Sequence, residues 1–395
     1  MKARSPDART AALRHESTGE TQNRGTEMAL TAVKTPTEVY FAVPGNLSSP
    51  TGGYAYARHV LRLLPDCGIT PHLVSLPAGY PFPDASDLED TRRRFANVPA
   101  EAVALIDGLA FGAMPWALVE QIRQPIVALV HHPLGYEAGL APAVARRLMA
   151  LERQALAAAR AIITASATTR RLLVAEFGCD DRMITVAEPG TLPAVRAHGT
   201  GAPLEVLSVG AVSERKGYDV LIEALAPYAG SDWHLTIAGA TDRNASAVTA
   251  VRQAVMASGL RAQVTLAGAV TEPELARLYS RADLFVMSSR YEGYGMVLAE
   301  AMARGLPLVT TTGGAAAETV PEGAALKVPP GDAAALGEAL GRVLADAGLR
   351  RRLADASWQV GQHLPRWEST TRRIADVIEQ VAAGQTDAAQ GDKHP

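Results

Sequence analysis

Several short stretches carry side chains whose types and spacing could do chemistry. In "RYEGYGMVLAEAMARG" two carboxylates, Glu292 and Glu300, are separated by seven residues, with Gly293 and Gly295 just after the first. One continuous helix would turn by about 800° between them and leave them on different faces. The glycines also disfavour such a helix. Glu292 therefore reads as a loop acid, and Glu300 as an acid about one turn into an otherwise apolar helix (Met296, Val297, Leu298, Ala299). A buried carboxylate needs a partner. A pair of ligand hydroxyls, Arg290, Arg304 or a backbone donor would each serve.

In "VGAVSERKGYD", Arg215 and Lys216 precede a helix start at Gly217. Free N–H groups and two cations there suit a phosphate, although a solvated basic turn has the same composition. No GxxxxGK[ST] or GxGxxG follows any expected strand, so neither the P-loop nor the dinucleotide fingerprint is present. In "SSPTGGYAYARHVL", Gly52 and Gly53 permit either a plain turn or close approach of backbone to a ligand. In "IVALVHHPLG", His131 and His132 follow an apolar run, open to a structural or a functional role. Asp107 in "IDGL" reads as a turn former.

These residues need elements to hold them. Apolar runs at 38–43, 71–76, 102–107, 125–130, 161–166 and 183–188 read as buried-type strands, with helical stretches between most of them. "EPGTLPAVRAHGTGAPL" breaks that rhythm, and a second series follows at 204–211, 234–240, 263–269, 283–289, 306–312 and 325–330. Alternation of this kind predicts an α/β fold of two doubly wound, Rossmann-like parallel-sheet domains facing a central cleft. The expected boundaries are a disordered tail at 1–35, a first domain at 36–190, a linker at 191–203 and a second domain at 204–360. A helix at 361–383 and a polar tail at 384–395 complete the chain.

Composition narrows the function. With 48% hydrophobic and 20% charged residues, the 395-residue chain can bury sizeable cores. A net charge of −3 argues against a nucleic-acid binder relying on bulk charge. Cys67 and Cys179 lie outside any metal-ligand spacing and fit a reducing, cytoplasmic setting. The expectation is no metal, no transmembrane helix and no secretory signal. The Arg92–Arg94 run reads as a solvated helix face and leaves a weak membrane-surface association open.

Taken together, "EGYGMVLAE", the following "EAMARGLPLVTTTGG" and the upstream "RKG" resemble the E-x7-E signature region of family 4 retaining glycosyltransferases of the GT-B fold. The resemblance is specific over about 204–330 and looser over the first domain. It implies a retaining, metal-independent transfer from a nucleotide-diphosphate sugar, UDP-linked by preference, to an acceptor hydroxyl. It implies no other cofactor. His131, Glu292, Lys216 and Arg215 would be catalytic. Donor contacts would come from Gly52, Gly53, Arg215, Lys216, Gly293, Tyr294, Gly295, Met296, Val297 and Glu300. The acceptor (small molecule, glycan or lipid) would meet loops 77–100 and 133–145, which carry no legible pattern, and the oligomeric state is not written in the sequence. Ala211, where the family often has arginine, and Val297, where it often has proline, depart from the pattern. A phosphorolytic or epimerising enzyme of the same fold and a non-catalytic nucleotide-sugar binder are the alternatives.

Overall fold

The computed structural model describes residues 37–391; the expected tail at 1–35 and the last four residues lie outside the described part. Among the described residues, twelve strands form two six-stranded sheets in which every pairing is parallel. The N-lobe holds β1 (Thr37–Pro44), β2 (Ile69–Leu76), β3 (Val103–Asp107), β4 (Ile126–Val130), β5 (Ala161–Thr164) and β6 (Ile184–Val186). The C-lobe holds β7 (Leu204–Val209), β8 (Trp233–Ala238), β9 (Val264–Gly268), β10 (Leu284–Met287), β11 (Leu308–Thr311) and β12 (Ala325–Val328). Strand order is β2-β1-β3-β4-β5-β6 in the first sheet and β12-β11-β10-β7-β8-β9 in the second.

Alternation within the strands builds two cores per lobe. Ala104 and Ile106 of β3 pack with Phe95, Phe111 and Leu148 on one face. Val103 and Leu105 face the other way, onto Tyr56 and Val60 of the helix Gly52–Leu63. A sheet covered on both faces needs near-continuous apolar runs, which is why the central strands carry no polar face. The edge strands differ from the sequence expectation. β2 and β9 are half exposed, with Leu73 45% accessible, because each has a neighbour on one side only.

The chain crosses between lobes twice. Residues 187–203 form no helix or strand and are pinned to the C-lobe by Asp283, which accepts from the Thr200, Gly201 and Glu205 amides. After the helix Ala347–Gln362 in the C-lobe, the helix Trp367–Gly391 returns to the N-lobe and buries Ile374, Val377 and Ile378 against the β1–β3 face. Each such side chain contributes about 1.5–3 kcal/mol.

Candidate active site

Strand order reverses between β1 and β3 in the N-lobe and between β7 and β10 in the C-lobe, which opens a crevice at the carboxyl end of each pair. The chemically interesting loops leave these strands. Thr51 caps the helix Gly52–Leu63 that follows β1, Asp107 ends β3, Arg215 and Lys216 follow β7, and 288–295 follows β10. His131 follows β4 next to β3.

The C-lobe loops meet in a buried ion cluster. Lys216 Nζ lies 2.7 Å and Arg215 Nη1 3.0 Å from the same Glu292 Oε1, and Glu292 is only 7% exposed. Burial pushes the Glu292 carboxyl upward, but the two cations outweigh it and hold it at about 2. Burial draws Lys216 below the usual ammonium range, with Glu292 opposing. Arg215 also reaches across the cleft, its Nε 3.2 Å from Glu137 Oε1, while Glu137 Oε2 lies 3.4 Å from His132 Nε2. A lysine offers three donors, and Glu292 uses one. Lys216 and Arg215 are therefore preset cations with capacity to spare.

Backbone geometry holds Glu292 in place. Its amide donates to Gly313 O, its carbonyl accepts from Ala315 N, and it bridges Gly314 in parallel. Gly314 adopts φ 64°, and a Cβ there would sit 2.3 Å from Glu292 O. Gly293 is forced too, since its Cβ would lie 2.3 Å from His131 O where the lobes touch. Gly295 takes φ 94° to cap the helix Met296–Met302. At Gly52 and Gly53 an added Cβ would meet only ordinary contacts, Met296 Sδ at 3.4 Å and the His131 ring at 3.5 Å. Gly53 borders the His131 ring and Gly52 borders Met296, and the fold requires neither glycine.

Of the residues expected at the site, Arg215, Lys216 and Glu292 come into direct contact. His131 joins Gly53 and Gly293, and Met296 reaches Gly52. Tyr294 instead packs with Ala165 and Ala299 as a seam between lobes. Val297 offers its carbonyl to Tyr279 Oη at 3.5 Å. Glu300 is partnered by neither expected arginine side chain. Tyr279 Oη donates to its Oε2 at 2.9 Å, Arg290 forks onto Asp219, and Arg304 donates to the Glu300 carbonyl while its guanidinium lies over the Tyr279 ring at 4.4 Å. Asp107 caps the helix Gly108–Phe111 through Oδ1, as a turn former would, while Oδ2 stands 3.6 Å from His131 Nε2. Where arginine is absent at Ala211, Lys216 Cε would come within 2.8 Å of a Cβ on Gly210, so the lysine stem covers that strand end.

Among the described residues, the polar atoms buried without a hydrogen-bond partner include His131 Nε2 and Tyr291 Oη. A buried polar atom without a partner, as at His131 Nε2 beside Gly53, suits a polar ligand. A cavity of about 310 Å³ adjoins the site; its lining includes Ser213, Glu214, Asp219 and Arg290 but neither Lys216 nor Glu292.

Residues 50–191 match the sequence family "Glycosyltransferase Family 4", and residues 203–346 match "Glycosyl transferases group 1". The chain belongs to the family 4 glycosyltransferases. Mannosylfructose-phosphate synthase of Agrobacterium fabrum is 30% identical over 216 residues, 53% of this chain and about half (47%) of that protein. D-inositol 3-phosphate glycosyltransferase of Xylanimonas cellulosilytica is 28% identical over 292 residues, covering 68% and 70% of the two chains. Among solved structures, sucrose-phosphate synthase of Thermosynechococcus elongatus superposes with a TM-score of 0.74 at 22% identity, covering 88% of this chain and all of that one. An Anabaena HepE structure in complex with UDP-glucose gives a TM-score of 0.65 at 17% identity, covering 89% and 99%. The fold of this family 4 chain is GT-B.

Glu137, Tyr279 and the Gly313–Gly314 turn are site residues that the sequence did not single out. Glu137 lies in a loop without periodicity, and Tyr279 is one more aromatic on a buried helix face. Gly313 and Gly314 stand inside the resembling stretch, and a paired glycine after a strand was the available signal.

Proposed function

We propose that the protein is a retaining glycosyltransferase that moves a sugar from a nucleotide-diphosphate donor, UDP-linked by preference, to an acceptor hydroxyl without a metal ion. The observation that carries this reading is the pair of cations, Arg215 and Lys216, fixed on one buried carboxylate, Glu292, at the end of the C-lobe sheet beneath His131. In the reaction the bond from the sugar's anomeric carbon to the diphosphate breaks, and the electron pair leaves with the nucleoside diphosphate. Lys216 and Arg215 meet that charge as it develops, which is the largest stabilising effect such a site offers. They also supply the positive charge a divalent ion would bring.

The acceptor oxygen bonds to the same face of the anomeric carbon, and its proton passes to the departing phosphate oxygen. Glu292 orients sugar hydroxyls, His131 lines the sugar's side of the cleft, and Glu300 accepts from the ribose. Gly52 and Gly53 cover the diphosphate, with the amides around Gly293–Val297 below. The contacts of Gly293 with His131 and of Arg215 with Glu137 favour a closed cleft that keeps water from the donor. Free Cys67 and Cys179 agree with action in the reducing cytoplasm. No helix among the described residues is long and apolar enough to cross a membrane. The Arg92–Arg94 cations are each paired with Glu89 or Asp90 on their own helix.

The test is calorimetric titration with UDP, GDP and ADP, with EDTA and with magnesium, beside Lys216→Ala. Selective, EDTA-insensitive binding that Lys216→Ala weakens roughly tenfold or more is expected, on the scale of one charge-assisted hydrogen bond. Binding of none of the three would overturn the donor assignment. Formation of sugar 1-phosphate from a glycoside and inorganic phosphate, with release of the glycoside's alcohol and without nucleotide, would favour a phosphorolytic enzyme.

A further inference from the structure

No hydrogen bond to Nε2 fixes the His131 ring. Its Nε2 is buried without a hydrogen bond, and Asp107 Oδ2 at 3.6 Å stands beyond hydrogen-bond reach. Packing orients it instead. The Tyr56 ring meets it edge-on, with centroids 5.2 Å apart and planes at 77°. Tyr56 is fully buried, and its hydroxyl donates to Ala187 O at 2.9 Å, where the first crossing between lobes begins. The same ring meets Trp367 edge-on at 5.4 Å and 79°. Trp367 opens the helix that follows the second crossing, and it stacks on His59 at 4.2 Å.

The two crossings are joined at this point. Thr191 N donates to Pro365 O at 2.7 Å, Arg366 Nη1 to Thr191 O at 2.9 Å, and Thr370 Oγ1 to Glu188 O at 2.6 Å. A Cβ on Gly190 would lie 2.3 Å from Trp367 N, so one crossing rests directly on the other. Any change of lobe angle must pass through these two segments, and Trp367 sits on both of them and on Tyr56. Edge-to-face contacts favour one relative ring geometry beyond the area they bury. That selects one ring orientation where no hydrogen bond to Nε2 competes.

We propose that Tyr56 and Trp367 are positioning residues that set the His131 ring and make its orientation depend on the joined crossings between the lobes. The kinetic consequence rests on the sugar-transfer reading given above; the structural consequence does not. The lobe angle is thereby tied to the side chain facing the sugar. Trp367, more than 200 residues along the chain from His131, acts on it through one intervening ring.

The experiment compares Trp367→Leu, Trp367→Phe and Tyr56→Phe in the full chain. The first readout is the His131 ring-proton resonances, assigned by their loss in His131→Gln. The second is kcat beside UDP affinity. Trp367→Leu should move the His131 resonances and lower kcat roughly tenfold or more, the scale of a small misplacement at a reacting centre. UDP affinity should stay within roughly twofold, because the cations stand on the C-lobe. Trp367→Phe should recover most of both, and Tyr56→Phe, which keeps the ring, should leave the resonances near wild type. Unmoved resonances in folded Trp367→Leu overturn the proposal, whether or not the protein transfers sugar. Moved resonances with unchanged kcat, or equal losses of kcat and UDP affinity, overturn the positioning role. Should Trp367→Leu unfold, Trp367→Met, which also removes the ring, carries the same test, and its resonances must shift while those of Tyr56→Phe do not.

Discussion

Lys216 Nζ and Glu292 Oε1 stand 2.7 Å apart in a site almost closed to water, and Arg215 shares the same oxygen. On the proposed reading, a donor diphosphate takes the remaining donors of both cations, while Glu292 offsets part of their charge. Glu292→Ala frees both, so UDP affinity should be unchanged or tighter while turnover falls by roughly a hundredfold or more. Its melting temperature should also drop, since removing one partner of a buried pair costs about 3–5 kcal/mol. Parallel losses of affinity and turnover, by calorimetry and initial rates, would sink this division of labour.

Glu300 is held by Tyr279, and burial pushes its carboxyl above the usual range. If it serves the ribose, Glu300→Ala should weaken UDP by roughly tenfold, one hydrogen bond's worth. Pyrophosphate, which has no ribose, should bind the variant as it binds wild type. Tyr279→Phe should show the same pattern to a smaller extent. A common loss for both ligands would instead mean that the C-lobe as a whole is disturbed.

Gly53 and Gly293 make a contrasting pair. Alanine at 53 meets only ordinary contacts, whereas at 293 it meets the His131 carbonyl. Gly53→Ala should melt within a degree or two of wild type yet lose donor turnover, because the methyl occupies space beside His131. Gly293→Ala should be destabilised by about 1–3 kcal/mol as overpacking at the lobe contact. The reverse order of melting temperatures would contradict the close approach.

Glu152, on the helix Pro142–Leu156, accepts from Leu134 N just beyond the histidine pair. Its Oε1 has no partner, and burial lifts the carboxyl to about 8. The raised value sets the sign. Below the unfolded value near 4.5 both states hold the proton; as pH rises from there to about 8, only the unfolded chain releases it, and stability falls. Glu152→Gln should flatten that slope and melt higher than wild type at pH 8. A variant with the wild-type slope from pH 5 to 8 would remove Glu152 as its source.

Much of this protein was legible locally. The twelve apolar runs, the breaks between them and the acids and cations that follow their ends are set by short-range pattern, because strand period and turn chemistry act over a few residues. Glu292 in a glycine turn and Glu300 on a helix were readable for the same reason. Tertiary structure decided the partners. Glu137 meets Arg215, Tyr279 meets Glu300, and Gly314 braces Glu292 only after sheet order and lobe contact bring distant loops together. Exposure of β2 and β9 also follows from their edge positions, which similar apolar runs do not announce. Side-chain pairing across the cleft depends on where whole sheets pack, and no local period encodes that.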